Sequence, residues 1–164
     1  MKTALLAGLT GSLVLFSPVA GTGAEQSRLV KAEVLITGGV TSFRHQVTVR
    51  SKDPARQVVS VLVGELPGLP EKPASLKVPG GWDGRVLERM RPGWVAWAVE
   101  VGCLGEKTDS ERPGGAETVN PEGCGLRAGD SLQFEFYLSY AADSLRQEPI
   151  FIAFSDGRTG SVSR

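Results

Sequence analysis

The residues that could carry nucleophilic catalysis or bind a metal are few in this sequence. It contains one histidine, His45, and two cysteines, Cys103 and Cys124. Nucleophile–base catalysis needs a positioned base, which is usually a histidine. His45 shares the apolar side of an alternating stretch with Phe43 and Val47, where a hydrogen-bonded core histidine is favoured over a catalytic one. A zinc site takes about four ligands, so we predict neither a metal site nor a cofactor.

Two glutamates offer the carboxylate pair that glycoside hydrolysis would require. Glu100 and Glu135 both alternate away from the apolar side of their predicted strands. A glycosidase needs its two carboxylates to face one cleft, whereas glutamates in this setting more often belong to a solvated sheet face. We therefore predict that the chain is not an enzyme. The alternative is a small secreted carbohydrate-active enzyme that uses a carboxylate pair.

The aromatic side chains are the candidates for ligand binding. Trp82 and Trp94 each follow a glycine in a predicted turn, and Tyr137 lies on the polar side of its predicted strand. Flat aromatic rings bind sugars by stacking on their C–H faces, so these three residues would form a ligand-binding platform. In the alternative interpretation the two tryptophans cover the ends of the core. Trp97 alternates with valines and is predicted to lie in the core.

The charge balance of the chain excludes nucleic acid as a partner. There are 18 Lys+Arg and 18 Asp+Glu, a formal net charge of zero, whereas nucleic-acid binders carry a basic excess or a basic stripe. Arg85, Arg89 and Arg91 form a small basic segment, which either suits an acidic glycan or is a solvated strand face. The 21 Gly and 10 Pro indicate a fold with many turns.

Residues 1–24 have the pattern of a secretory signal peptide. Lys2 precedes an apolar run over Ala4–Phe16, after which Pro18 and small residues lead to Ala24. This run of about 13 residues is short for a bilayer-spanning helix, which needs about 20. We predict cleavage after Ala24, no stable membrane insertion once the signal is removed, and export to a periplasm or to the extracellular space.

Export makes a disulfide the favoured state of the two cysteines. Cys103 and Cys124 allow one intramolecular pairing, and an oxidising compartment promotes it; two free buried thiols are the alternative. The segment between them, about 104–123, is rich in Gly, Pro and Glu and shows no hydrophobic period. Such a segment is unusual in a compact domain unless it is tied down. We predict a long loop closed by Cys103–Cys124.

The remaining chain, residues 25–164, predicts one domain of short strands. Ser131–Tyr140 has the clearest alternation, and Gln57–Leu66 is a near-continuous apolar run typical of a strand buried on both faces. One helical turn is predicted over Ala141–Gln147. The other predicted strands are bounded by turn residues and cover Arg28–Thr37, Thr41–Arg50, Ala74–Val78, Gly84–Arg89, Trp94–Val101, Pro149–Phe154 and a final segment around Gly160–Ser163.

Seven to nine short, mostly alternating strands predict an all-β fold. Two antiparallel sheets packed face to face would bury one side of each alternating strand. A closed β-barrel is the alternative architecture. We therefore predict a two-sheet antiparallel β-sandwich with one disulfide-closed long loop.

Part of the chain, about residues 75–140, resembles a known group of sandwich modules. Val78–Trp82 reads Val-Pro-Gly-Gly-Trp, Pro92–Trp97 reads Pro-Gly-Trp-Val-Ala-Trp, and Gly125–Leu132 reads Gly-Leu-Arg-Ala-Gly-Asp-Ser-Leu. This order of turns and aromatics is similar to the immunoglobulin-like or fibronectin-like β-sandwich modules of exported bacterial proteins, although Ala128 stands where their pattern usually has Pro. The resemblance implies a non-catalytic role in adhesion, carbohydrate contact or spacing.

These expectations together describe a secreted, non-catalytic interaction module. Its partner would be an envelope or extracellular polysaccharide, or another exported protein. Trp82, Trp94 and Tyr137 are the residues predicted to bind that ligand.

Overall fold

The computed structural model describes residues 29–104 and 124–162. The predicted signal peptide, residues 1–24, and most of the predicted loop 104–123 lie outside the described residues. The described chain forms nine strands and one 3-10 turn, Asp143–Arg146. The strands are β1 Val30–Gly38, β2 Phe43–Ser51, β3 Val58–Val63, β4 Ala74–Lys77, β5 Trp82–Arg91, β6 Trp94–Cys103, β7 Ser131–Leu138, β8 Ile150–Phe154 and β9 Thr159–Val162.

The nine strands form two antiparallel sheets. Sheet A has the strand order β1-β2-β7-β4, and sheet B has the order β5-β6-β3-β8-β9. Both sheets keep open edge strands in the described structure, so the strands do not close into a barrel. The predicted all-β, two-sheet antiparallel sandwich is confirmed, and its strand number falls within the predicted seven to nine.

Alternation decides which side chains enter the core between the sheets. In β2 and β7 every second residue is buried, and the register places Val47 opposite Phe134 and Val49 opposite Leu132. Sheet B contributes Val61, Val63 and the buried valines of β6 to the same cluster. Because period-2 patterning sends alternate side chains to opposite faces, the polar residues of these strands form the two outer faces of the sandwich.

The sandwich has two ends: the disulfide end, which holds Cys103, and the hairpin end, which holds the turn between β5 and β6. At the disulfide end, Val58 pairs with Leu126, and Trp82 pairs with Cys103. At the hairpin end, β5 turns into β6 and the loop 64–73 leaves β3. The end of β2 and the start of β7 lie at the disulfide end, where Ser51 N–H donates to the Asp130 carbonyl close to Leu126. The turns 39–42 and 139–149, at the other ends of β2 and β7, therefore lie at the hairpin end. The ends therefore present different sets of loops to solvent.

Two strand boundaries differ from the prediction, each for a local reason. β5 extends beyond the predicted Gly84–Arg89 because it pairs with β6 through ten consecutive residue pairs. β3 ends before Leu66 because Gly64 turns the chain with a φ of 78°. The predicted helical turn is confirmed as the 3-10 turn Asp143–Arg146. The described ranges contain no helix with the length and apolarity needed to cross a membrane.

The expected double-sided burial of β3 is only partly found. Val58, Val61 and Val63 are fully buried, whereas Ser60 and Leu62 are half-buried on the outer face of sheet B. The described residues place no second layer over that part of the outer face. The apolar run Gln57–Leu66 therefore predicted the strand β3 correctly, but the predicted burial of its outer face is wrong.

Candidate functional site

The predicted disulfide is present. Cys103, the last residue of β6, is bonded to Cys124, and their Cα atoms are 5.8 Å apart. The bond closes the segment between them at the disulfide end, where Leu104 N–H also donates to the Gly81 carbonyl at 3.1 Å. The Cys103–Cys124 prediction is confirmed, so neither of these sulfurs is a free thiol.

His45 is a core residue and both of its ring nitrogens are engaged. Its side chain is fully buried in β2 and stacks on the Phe136 ring, with ring centroids 5.3 Å apart. Nδ1 lies 3.1 Å from the Phe43 carbonyl, and Nε2 lies 3.0 Å from the Ala142 backbone nitrogen. A backbone N–H can only donate, so Nε2 accepts and Nδ1 carries the proton.

The environment of His45 opposes its use as a general base exposed to substrate. Burial lowers the pKa of His45, while the hydrogen bond to Phe43 and the charge of Asp143 act in the opposite direction. A neutral imidazole with both nitrogens already paired has no free lone pair for a substrate proton. The interpretation of His45 as a hydrogen-bonded core histidine is confirmed.

The two candidate carboxylates lie on opposite outer faces of the sandwich. Each stands between two fully buried hydrophobic neighbours in its strand, so Glu100 points outward from sheet B and Glu135 outward from sheet A. Glu100 accepts from Arg85 Nε at 2.6 Å, and Glu135 accepts from Lys77 Nζ at 3.0 Å. Glycosidase carboxylates stand about 5–9.5 Å apart in one cleft. Glu100 and Glu135 are therefore not such a pair.

Trp82 lies at the disulfide end, where β5 begins. It is half-buried and packs against the core. Its backbone pairs with Cys103, and its N–H donates to the Pro79 carbonyl at 3.3 Å. This placement agrees with the alternative in which a tryptophan covers the end of the core. Trp97, predicted to lie in the core, is also half-buried and packed against it.

Trp94 lies at the other end of the same hairpin. It pairs with Arg91 across the β5–β6 turn, and β6 runs ten residues from Trp94 to Cys103. At about 3.3 Å per residue this separates Trp94 from the Trp82 end by about 30 Å. Tyr137 is on the outer face of sheet A, opposite Arg44 of β2. The structure does not bring Trp82, Trp94 and Tyr137 together, so they form no single platform.

Trp94 instead belongs to a group of exposed apolar side chains at the hairpin end. Met90 is 78% exposed, Leu66 50%, Trp94 44% and Val95 37%. Met90 and Val95 are a directly opposed pair that shares one face of the hairpin, whereas Trp94, the residue before Val95 in β6, alternates to the other face at the same turn. We call Leu66, Met90, Trp94 and Val95 the hairpin patch.

The loop that carries Leu66 is fastened to the same hairpin. Arg89 Nε donates to Glu65 at 3.2 Å, and the backbones of Leu69 and Trp97 exchange two hydrogen bonds of 2.8 Å. Gly68 approaches β6 so closely that an added Cβ would lie 2.5 Å from the Ala96 Cβ. Contacts on both sides of Leu66 thus hold its loop against β5 and β6.

The sequence-based prediction missed three of the four residues of the hairpin patch. Val95 was assigned to a strand, Leu66 to the end of a buried one, and Met90 to no element. The sequence does carry a signal here, because apolar Met90, Trp94 and Val95 all lie within two residues of the Pro92-Gly93 turn.

The outer face of sheet A holds a second group, centred on Glu135. Besides Lys77, it accepts from the Tyr137 hydroxyl at 3.2 Å and lies 3.7 Å from Arg44 Nη1. The Lys77 ammonium also lies 5.5 Å from the centre of the Tyr137 ring. The hydrogen bond from Lys77 lowers the pKa of Glu135, so this carboxylate is charged at neutral pH. Among residues 29–104 and 124–162, no three His, Cys, Asp or Glu side chains are grouped to hold a metal ion.

Comparison with known proteins gives one solved structure to report. No protein-family model matches the chain, and no curated protein matches it. An uncharacterized protein from Nocardia farcinica, whose crystal structure is described as revealing an immunoglobulin-like fold, is 18% identical. The match covers 79% of this chain and 81% of that one, with a TM-score of 0.48. The sandwich architecture of this chain is established by its own strand pairing.

Proposed function

We propose that this chain is an exported, non-catalytic binding module that docks on a protein partner through the hairpin patch. The observation that carries the proposal is the exposure of Met90, Trp94 and Val95 at one turn. Large apolar side chains exposed close together at one end of a domain are characteristic of interaction surfaces, and a partner that encloses the β5–β6 turn would contact both of its faces. Aromatic residues and methionine are also enriched at the centres of protein interfaces.

The hairpin patch is supported on a rigid frame. The turn is short, with Gly93 at a φ of 81° and strand pairing up to Arg91 and Trp94. The contacts of Glu65, Gly68 and Leu69 described above hold the neighbouring loop in place. A preorganised surface loses less conformational entropy on association than a mobile one, which favours specific binding through this end.

The proposed partner is a protein because of the mixture of side chains. Leu66, Met90 and Val95 are aliphatic or flexible, and they offer no flat ring for a sugar to stack on. Trp94 is the one aromatic side chain of the patch. An apolar pocket of a protein fits such a surface, with Trp94 as its anchor residue.

Export and the absence of catalysis are parts of the same proposal. The signal-like pattern of residues 1–24 and the Cys103–Cys124 disulfide both support an oxidising, extracytoplasmic compartment. The engaged nitrogens of His45 and the opposite placement of Glu100 and Glu135 remove the residues that were the candidates for acid–base chemistry.

Site-specific photo-cross-linking tests the docking surface. A benzophenone amino acid is placed at position 66 or, as the matched control, at position 104, since Leu66 and Leu104 are exposed to 50% and 51% at opposite ends of the sandwich. The mature protein is then irradiated with the exported proteins of its source cells. We expect one adduct from position 66 that the Met90→Ser, Trp94→Ser double variant abolishes.

The cross-linker at position 104 distinguishes specific docking at the hairpin patch from nonspecific adhesion through any exposed apolar residue. An equal adduct from position 104, or an adduct from position 66 that survives the double variant, contradicts the proposal. Circular dichroism of the double variant confirms that the sandwich is retained, because both substituted side chains are exposed and contribute little to the core.

A further inference from the structure

The outer face of sheet A concentrates positive charge in a chain that is neutral overall. This face is formed by the side chains of β1, β2, β7 and β4 that alternate away from the core. It carries four cations and two carboxylates, a net charge of +2, whereas the full sequence has a net charge of zero. The charged residues of the face are Lys31, Glu33, Arg44, Arg50, Lys77 and Glu135.

The centre of this face is already arranged around one carboxylate. Glu135 receives hydrogen bonds from Lys77 and Tyr137 and an ion pair from Arg44. The Lys77 and Arg44 side chains are 65% and 42% exposed, so both also face solvent. Arg and Lys side chains that point at one carboxylate can bind the carboxylate of a ligand by the same charge-assisted hydrogen bonds.

We propose that this face binds an acidic polysaccharide, with the carboxylates of its sugar units paired to Arg44 and Lys77. Glu135 holds the two cations in position in the free protein and competes with the incoming carboxylate for them. Tyr137 is half-buried beside them, and its hydroxyl donates to Glu135. We call Arg44, Lys77, Glu135 and Tyr137 the carboxylate site.

Apart from the exposed Leu35 of β1, the uncharged residues around the carboxylate site favour a polysaccharide over other polyanions. The neighbouring outward positions of β2 and β7 are occupied by Gln46, Thr48 and Gln133. Their amide and hydroxyl groups can both donate hydrogen bonds to sugar hydroxyls and accept hydrogen bonds from them. The four strands are spaced at about 4.8 Å, so an extended chain that crosses them meets side chains of each strand in turn. Nucleic-acid affinity would instead require many cations with few competing carboxylates.

This binding face is independent of the hairpin patch. The hairpin patch belongs to strands and a loop of sheet B, whereas every residue of the carboxylate site is in sheet A. The module would therefore attach to an acidic polysaccharide with one surface while it presents the other to a protein.

Binding of polygalacturonate to the mature, oxidised protein tests the inference, with dextran as the neutral polymer. Glu135→Gln removes the competing carboxylate, so the affinity for polygalacturonate should rise about threefold to tenfold at low salt. Glu100→Gln is the matched control, because it changes the net charge equally and releases Arg85 on sheet B. Arg44→Gln and Lys77→Gln should each weaken binding about tenfold, and Arg85→Gln should not.

A gain of affinity in Glu135→Gln cannot arise from a folding defect. The inference is overturned if wild type fails to bind polygalacturonate, if Glu100→Gln raises affinity as much as Glu135→Gln, or if dextran binds equally well. It is also overturned if duplex DNA or vesicles of anionic phospholipid bind as tightly as polygalacturonate and respond to the same variants, since the face would then be a general polyanion surface. Trp94→Ser leaves polygalacturonate affinity unchanged.

Discussion

His45 Nε2 accepts a hydrogen bond of 3.0 Å from the backbone N–H of Ala142, a residue 97 positions further along the chain. The bond joins β2 to the connection between β7 and β8, in which Leu145 is also buried. This bond and the burial of Ala142 and Leu145 in the core together hold the connection against the sandwich. The pairing explains why the one histidine of this chain lies in the core.

Stability should fall as the pH is lowered through the range in which histidine titrates. Burial lowers the pKa of His45 from its ordinary value of 6.5, so below that value the unfolded chain binds a proton that the folded chain does not. The contribution of His45 is complete above pH 6.5 and is lost on acidification, at up to about 1.4 kcal/mol per pH unit. Urea unfolding at pH 7.5, 6.5 and 5.5 measures this change.

The matched control for the pH dependence is His45→Gln. Histidine is the only residue whose ordinary pKa falls in this range, so the variant should show a flatter profile. Its stability at pH 7.5 should be lower by about 1–3 kcal/mol because the partner of the buried Ala142 N–H is disturbed. A profile as steep as that of wild type would assign the pH dependence to other groups.

Removal of the disulfide should destabilise the protein without changing its core. Cys103 and Cys124 are 21 residues apart, and closing a loop of this size stabilises by about 3 kcal/mol in the chain-entropy model. We expect the Cys103→Ser, Cys124→Ser variant to unfold at correspondingly lower urea. Wild type treated with reductant should match it, and an unchanged midpoint in both would contradict the prediction.

Substitution of Gly68 should loosen the loop that supports the hairpin patch. Gly68 has a φ of 101°, and an added Cβ would lie 2.5 Å from the Ala96 Cβ. Strain and overpacking together should cost Gly68→Ala about 2–4 kcal/mol. Gly93→Ala is the control, because Gly93 also has a positive φ of 81° but no atom within 4 Å of an added Cβ. Equal losses in the two variants would show that the contact with Ala96 is unimportant.

Tryptophan fluorescence should contain one component that acrylamide quenches readily. Trp94 is 44% exposed, whereas Trp82 and Trp97 are half-buried against the core. We expect Trp94→Phe to shift the emission to the blue and to reduce quenching, and Trp82→Phe to leave the quenchable component in place. A quenchable component that persists in Trp94→Phe would show that the exposed ring is another one.

Much of the fold was predictable because it depends on local patterns. Period-2 alternation identified β2, β6 and β7 and the inward side of each, since successive side chains of a strand point to opposite faces. Turn residues marked most strand ends. The Cys103–Cys124 bond followed from there being one possible pair. The errors, at β5 and β3, concern boundaries that cross-strand pairing and a single positive φ at Gly64 determine.

The relative positions of the candidate residues were decided by the tertiary structure alone. Alternation indicates the face of its own strand on which Glu100, Glu135 or Tyr137 lies, but it does not indicate which sheet that strand joins or which end of the sandwich a turn occupies. Those are set by pairing between distant segments, such as β2 with β7. The sequence by itself therefore determined the strands, the core pattern and the disulfide. The ten-residue pairing of the β5–β6 hairpin separated Trp82 from Trp94, and only long-range packing joined His45 to Ala142 and brought Arg44 and Lys77 to Glu135.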